Sequence, residues 1–208
     1  MSDQIEKLMA QLDVSRKGAE KIAEILRAGT NILLEEGFTA LTKRRIAKRL
    51  GIGHGNVSYY FPTRESLWDA VVDHELKAYY KHHMSSKRVH HDDPQASFDE
   101  LVVGWIDEYN DPRVRMFFSH ILAFAEVNDA VAEIRDEIYE QFFSELFGRA
   151  KALEVGVDSA ELERRVLEIM VMLEGLHAVS AFRPEVIERN YEFRRRLLSR
   201  ANAIIHGH

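Results

Sequence analysis

The chain has 208 residues, 46% of them hydrophobic, and a formal net charge of −6. That is enough apolar material for one large or two small globular domains. It contains no cysteine, which excludes a disulfide framework and a thiolate metal site. The opening MSDQIEKLMAQLDVSRKG lacks the apolar core of a signal peptide, and no run of roughly 18 apolar residues occurs, so the expected location is the cytoplasm, without membrane association.

Apolar residues recur mostly at spacings of three and four, interrupted by only four prolines and eleven glycines, which predicts an all-α protein. Residues 1–14 read as an N-terminal extension. The first firm helix begins near Ser15 and carries Ile22, Leu26, Gly29 and Leu33 on one face. It stops at Gly37, a residue suited to the position just past a helix. A short helix runs from about Thr42 to Leu50 and is stopped by Gly51, and another covers about His54 to Phe61. A longer one follows Pro62, with Thr63 as its N-cap, and reaches roughly His83. The stretch from Ser85 to Gln95 has no periodicity and reads as a linker, so residues 15–84 and 85–208 are expected to be separate domains. Beyond it, helices are predicted at about Gln95–Tyr109, Arg113–Glu126, Asp129–Leu153, Ser159–Phe182 and Pro184–His206. Asp111-Pro112 and Arg183-Pro184 mark breaks between them.

Charge is split along the chain. Residues 1–89 carry 15 Lys and Arg against 11 Asp and Glu, a balance of +4, whereas the remainder carries 13 against 23, a balance of −10. Such an asymmetry points to two jobs, with a polyanion as a natural partner of the first half. From Gly37 to Arg64 there is no Asp or Glu, while Lys43, Arg44, Arg45, Lys48, Arg49 and Arg64 are all basic.

Two short helices joined by the turn RLGIGHG, behind a longer first helix, make a helix-turn-helix. Ile46, Ala47, Leu50, Ile52, Val57 and Phe61 are expected to face inward. Lys43, Arg44 and Arg45 occupy a first helical turn, where the helix dipole disfavours cations, and no carboxylate nearby in sequence offsets them. Phosphates of a nucleic-acid backbone would supply the missing partner for these and for Lys48. On the next helix, Gly55 costs ~1 kcal/mol relative to alanine but would let the helix approach a ligand surface closely. His54 and Asn56 can hydrogen-bond base edges, and the hydroxyls of Ser58, Tyr59 and Tyr60 can reach phosphates. Taken alone, a basic helix face can equally be a solvated one.

The run EEGFTALTKRRIAKRLGIGHGNVSYYFPTRESLWDAV resembles the DNA-binding domain of the TetR family of bacterial transcriptional regulators. Gly37-Phe38, Ile46-Ala47, Gly51-Ile52, Gly55, Tyr60-Phe61 and Thr63-Arg64-Glu65 stand at the matching places, over a stretch from about Ser15 to Leu76. Two departures stand out: Gly53 replaces the usual turn serine, and Val57-Ser58 replaces the usual Leu-Tyr pair. The resemblance implies Arg44, His54, Gly55 and Asn56 as base readers and Thr42, Ser58, Tyr60 and Arg64 as backbone contacts. It also implies a repressor that binds a double-stranded operator as a homodimer and is released by a small-molecule effector through a population shift.

The last two predicted helices carry wide apolar stripes. Leu162, Val166, Ile169, Met170, Leu173, Leu176 and Val179 form one, and Val186, Ile187, Tyr191, Leu197, Leu198, Ala201 and Ile205 the other. Such stripes suit burial on two sides, one against the domain and one against a symmetry mate, as the family's dimers imply. A monomer's own core is the alternative. In the middle helices, Trp105, His120, Phe124, Met170 and His177 are candidates for an effector pocket, although an aromatic or Met stripe is also what a plain core looks like.

His82-His83 and His90-His91-Asp92-Asp93 hold metal-ligand chemistry. They lie around the expected linker without a clean i,i+4 pair, so no metal and no cofactor are expected. Enzyme motifs are missing: GIGHG follows a basic helix rather than a strand, and there is no Gly-x-Ser-x-Gly elbow and no Walker lysine. The rival to a DNA-binding regulator is a helical adaptor that binds protein partners.

Overall fold

The computed structural model describes residues 16–85, 93–109, 111–179, 182 and 191–208. Among them are nine helices and no strand. They are α1 (Arg16–Glu36), α2 (Lys43–Leu50), α3 (His54–Tyr60), α4 (Arg64–Ser85), α5 (Pro94–Glu108), α6 (Pro112–Ala125), α7 (Asp129–Ala152), α8 (Ser159–Val179) and α9 (Tyr191–His206). No described helix is long and apolar enough to cross a membrane.

Local chemistry sets the ends of the first four helices. Gly37, with φ +79°, takes the left-handed conformation past α1, and its N–H donates to the Leu33 carbonyl at 2.9 Å. Thr42 caps α2, its Oγ1 accepting from the Arg45 N–H at 3.1 Å, and Gly51 ends it at φ +66°. Gly53 offers α3 no side-chain cap. At the start of α4, Ser66 N–H donates to Thr63 Oγ1 at 3.0 Å while Thr63 N–H donates to Ser66 Oγ at 3.2 Å, a reciprocal cap.

The core under these helices is mostly apolar, with Thr30 of α1 and Asp73 and Glu75 of α4 also buried. Ile25, Ile32, Leu33, Leu41, Ile46, Val57, Phe61, Leu67 and Val71 are buried. Gly29 is needed for the approach of α1 to α4, since a Cβ there would lie 2.6 Å from Val71 Cγ2. The indole N–H of buried Trp68 is satisfied by the Leu41 carbonyl at 3.1 Å. Leu50 and Ile52, expected inside, are half-buried.

Two compact units emerge, and they interleave in sequence: Met1–Met84 with Met116–Ile134, and Ser85–Arg115 with Arg135–His208. The expected division at 84/85 therefore does not separate the packing. Residues 116–134 join the first unit because Phe124 stacks on Phe38 at 5.1 Å and meets Trp68 edge-on at 5.4 Å. His120 Nε2 also donates to the Leu34 carbonyl at 3.2 Å.

In the second unit, α5 begins close to where its periodicity places it. Asp93 caps it, accepting from the N–H groups of Gln95 and Ala96 at 2.9 and 3.2 Å, and Pro94 takes the first helical position. Leu162, Val166, Ile169, Leu173 and Leu176 of α8 are buried, as are Ala201 and Ile205 of α9. Asn202 on α9 and Gln95 and Asp99 on α5 form a closed hydrogen-bond set, with distances of 2.6 to 2.8 Å. Leu197 and Leu198 are half-buried and Tyr191 is exposed, while Val186 and Ile187 lie outside the described residues.

Candidate nucleic-acid interface

The amphipathic pattern of α2 turns Ile46 and Ala47 into the core and leaves Arg44, Arg45, Lys48 and Arg49 exposed. Their surroundings differ sharply. Arg45 reaches back to the last turn of α1, donating from Nη2 and Nε to Glu36 Oε1 at 2.9 and 3.3 Å. Arg49 Nη2 meets both oxygens of Glu35 at 2.7 and 2.9 Å. The sequence argument that no carboxylate offsets these cations is thus corrected: Glu35 and Glu36 sit just outside the acid-free window and fold onto it. Lys43 Nζ donates to the Pro62 carbonyl at 2.6 Å. The side chains of Arg44 and Lys48 make no hydrogen bond or ion pair among the described residues.

The following helix keeps one side chain inside, Val57, which is fully buried. His54, Gly55 and Asn56 at its leading end are exposed. A Cβ built on Gly55 meets nothing within 4 Å, so internal packing does not require this glycine. Ser58 Oγ lies 3.4 Å from His54 Nδ1, a contact within the helix. Tyr59 is 63% exposed and packs edge-on against half-buried Tyr60 at 5.0 Å. Arg64, at the start of α4, lies 4.5 Å above the Trp68 ring, which holds its exposed guanidinium by a cation–π contact. Half-buried Thr42 spends its hydroxyl on the cap of α2. The expected contact residues therefore share α2, α3 and the first turn of α4 within one unit.

The five effector candidates are divided between the two units. His120 and Phe124 belong to the first unit, packed on Leu34 and Phe38. Trp105, Met170 and His177 belong to the second. There, α7 and α8 leave an open groove of about 680 Å³ lined by Asp136, Tyr139, Glu140, Phe143, Glu163, Leu167, Met170, Val171 and Glu174. Glu174 accepts from Tyr109 Oη at 3.0 Å and is also hydrogen-bonded by Tyr139. Buried His177 meets the Tyr109 ring edge-on at 5.1 Å, and Trp105 packs against Phe142 at 5.2 Å. Burial pushes the Glu174 carboxyl up. Next to Tyr109 in sequence, Glu108 is raised to about 8, by burial and then by the charge of Glu145. Burial lowers His177, and Arg115 adds to that shift. The sequence reading missed Tyr109, Tyr139, Glu108 and Glu174 as a polar cluster, because three separate helices supply them. The histidine–aspartate stretch at 90–93 and the side chains of His82 and His83 fall outside the description, apart from Asp93, which serves as a helix cap.

Comparison with known proteins agrees with this geometry. Residues 25–71 match the family described as bacterial regulatory proteins, tetR family. An HTH-type transcriptional repressor of Mycobacterium tuberculosis is 41% identical over 58 residues, which is 27% of this chain and 31% of that relative's length. A TetR transcription regulator from Haloarcula marismortui has a similar fold, with a TM-score of 0.69 at 18% identity over 91% of this chain and 98% of that one. SmeT, solved as its triclosan complex, superposes with a TM-score of 0.64 at 16% identity over 88% and 91% of the two chains. The helix-turn-helix is thus similar in sequence to the tetR family of bacterial regulatory proteins over residues 25–71, and the helical chain as a whole is similar in fold to solved TetR regulators.

Proposed function

We propose that the protein is a transcriptional repressor that occupies a double-stranded DNA operator as a homodimer and leaves it when a small molecule binds the second unit. The observation that carries this reading is the outer side of α2 and α3. Arg44 and Lys48 stand one turn apart without a counter-charge among the described residues, beside the exposed polar end His54-Gly55-Asn56, over a back that is buried and apolar. That combination suits a helix in the major groove, with base edges read by Arg44, His54 and Asn56 across the bare Gly55, and with Lys48, Ser58, Tyr59, Tyr60 and Arg64 on phosphates. Arg45, Lys43 and Thr42 are already engaged within the chain, and they contribute less.

Dimerisation is supported by what α8 and α9 leave uncovered: Leu167, Val171, Val179 and Tyr191 are exposed on the two helices that the sequence marks for an interface. The effector site is assigned to the Glu174–Tyr109–His177 cluster and the α7–α8 groove, with Met170 in the lining; the groove's exposed Leu167 and Val171 are shared with the dimer face, so that a partner chain would close it. Carboxylates alternate there with aromatic and aliphatic side chains, and no basic residue lines it, which favours an apolar effector bearing a positive charge. The same exposed apolar hairpin is what an adaptor for protein partners would present, so DNA is the discriminating ligand.

Gel retention of a duplex selected from genomic fragments tests the assignment. Asn56→Ala is expected to lose ~1–3 kcal/mol of discrimination between the selected and a scrambled duplex. Lys48→Ala is expected to weaken both equally and to lower the salt slope by about 0.9. Retention unchanged in both variants would exclude this surface.

A further inference from the structure

Two rules of helix electrostatics are broken side by side. α1 ends in Glu35 and Glu36, at the helix end whose dipole disfavours carboxylates, and α2 opens with Lys43, Arg44 and Arg45, at the end that disfavours cations. Each violation answers the other. Glu36 takes Arg45 and Glu35 takes Arg49, with closest contacts of 2.9 and 2.7 Å, and Arg49 Nη1 also lies 3.9 Å from Glu36. The Arg45 and Glu36 side chains are 44% and 31% exposed, and those of Arg49 and Glu35 34% and 55%, so an external anion can reach both guanidinium groups. Arg44 and Lys48, on a different stripe of the same helix, have no such acid. α2 thus carries two rows of cations, one occupied by its own chain and one open.

A carboxylate and a phosphate offer a guanidinium the same paired-oxygen geometry. We propose that Glu35 and Glu36 stand in for DNA phosphates, holding Arg45 and Arg49 back from the duplex and thereby capping the sequence-independent part of its affinity. The proposal rests on the reading of this corner as a DNA-binding surface. Phosphate contacts carry no base information, so the two acids weaken binding to every duplex by the same factor and leave discrimination to Arg44 and α3. They act as positioning residues, through the arginines.

The test uses the full chain with Glu35→Gln, Glu36→Gln and the double substitution, titrated by fluorescence anisotropy against a labelled random-sequence duplex and a selected operator duplex. Each arginine released onto the backbone should steepen the salt slope by about 0.9, which between ~50 and ~200 mM salt adds about a threefold loss of affinity for a single variant and about tenfold for the double. Affinity at low salt should rise on both duplexes with their ratio unchanged, and adding Arg45→Gln to Glu36→Gln should remove the gain. Wild-type binding with slopes unaltered in the variants would overturn the proposal alone, as would a change confined to the operator duplex. Failure of the wild type and every variant to bind any duplex would overturn the function reading and this proposal with it.

Discussion

The helix-turn-helix corner and the α8–α9 helices both leave uncovered what a solitary chain has no use for, but they leave opposite things. In the corner, Ile46, Val57 and Phe61 are fully buried and the surface above them is polar and cationic. On α8, one stripe of five apolar side chains is buried, yet Leu167 and Val171 on another stripe remain 51% and 72% exposed. The first surface attracts an anion through forces that salt screens. The second attracts another apolar face through burial, which salt barely weakens and which depends on chain concentration. The two proposed associations can therefore be told apart by the variable that dissolves each.

The strongest way to break this comparison is to make the second surface resemble the first. Leu167→Asp with Val171→Asp would place charges where a partner's apolar surface is proposed to sit, and burying an unpaired charge is prohibitive. Sedimentation should show a dimer for the native chain and a monomer for the variant at the same concentration. The fold should persist, because both positions are exposed. A dimer that survives both substitutions would remove these helices from the interface.

A smaller effect sharpens the contrast between the units. Burial, then the charge of Glu145, raises Glu108 from an ordinary 4.5 to about 8 in the folded chain. Between those values the folded state holds a proton that the unfolded state has released, so stability falls as pH rises through that window and levels off above it. Glu108→Gln should flatten this decline, as read from urea midpoints across the same pH range. A decline of unchanged size would show that Glu108 is not its source.

Much of the first unit was legible in the sequence because its punctuation is local. Gly37, Gly51 and Thr63 mark helix ends through the chemistry of a few neighbouring residues, and α1 to α4 lie close to their expected bounds. The start of α5 lies within a residue of its expected place, and what the sequence did not show is that the Asp93 side chain accepts its first backbone N–H groups. What failed was tertiary. The acid-free window begins one residue after Glu36, so the sequence emphasised the cations and hid the acids that fold back onto two of them. His120 and Phe124 are half-buried and pack on Leu34 and Phe38, contacts that periodicity alone does not reveal. The Tyr109–Glu174–Tyr139 cluster draws on α5, α7 and α8, and no single window contains it.

The central claim is that the open cations and the polar leading end of α3 grip duplex DNA in pairs. Selection of genomic fragments by the purified, effector-free chain at low salt tests it most directly. The account predicts enrichment of a palindromic sequence whose half-sites lie about one helical turn (~34 Å) apart, bound by two chains. Recovery of no preferred sequence, or of one bound by a single chain without symmetry, would contradict it.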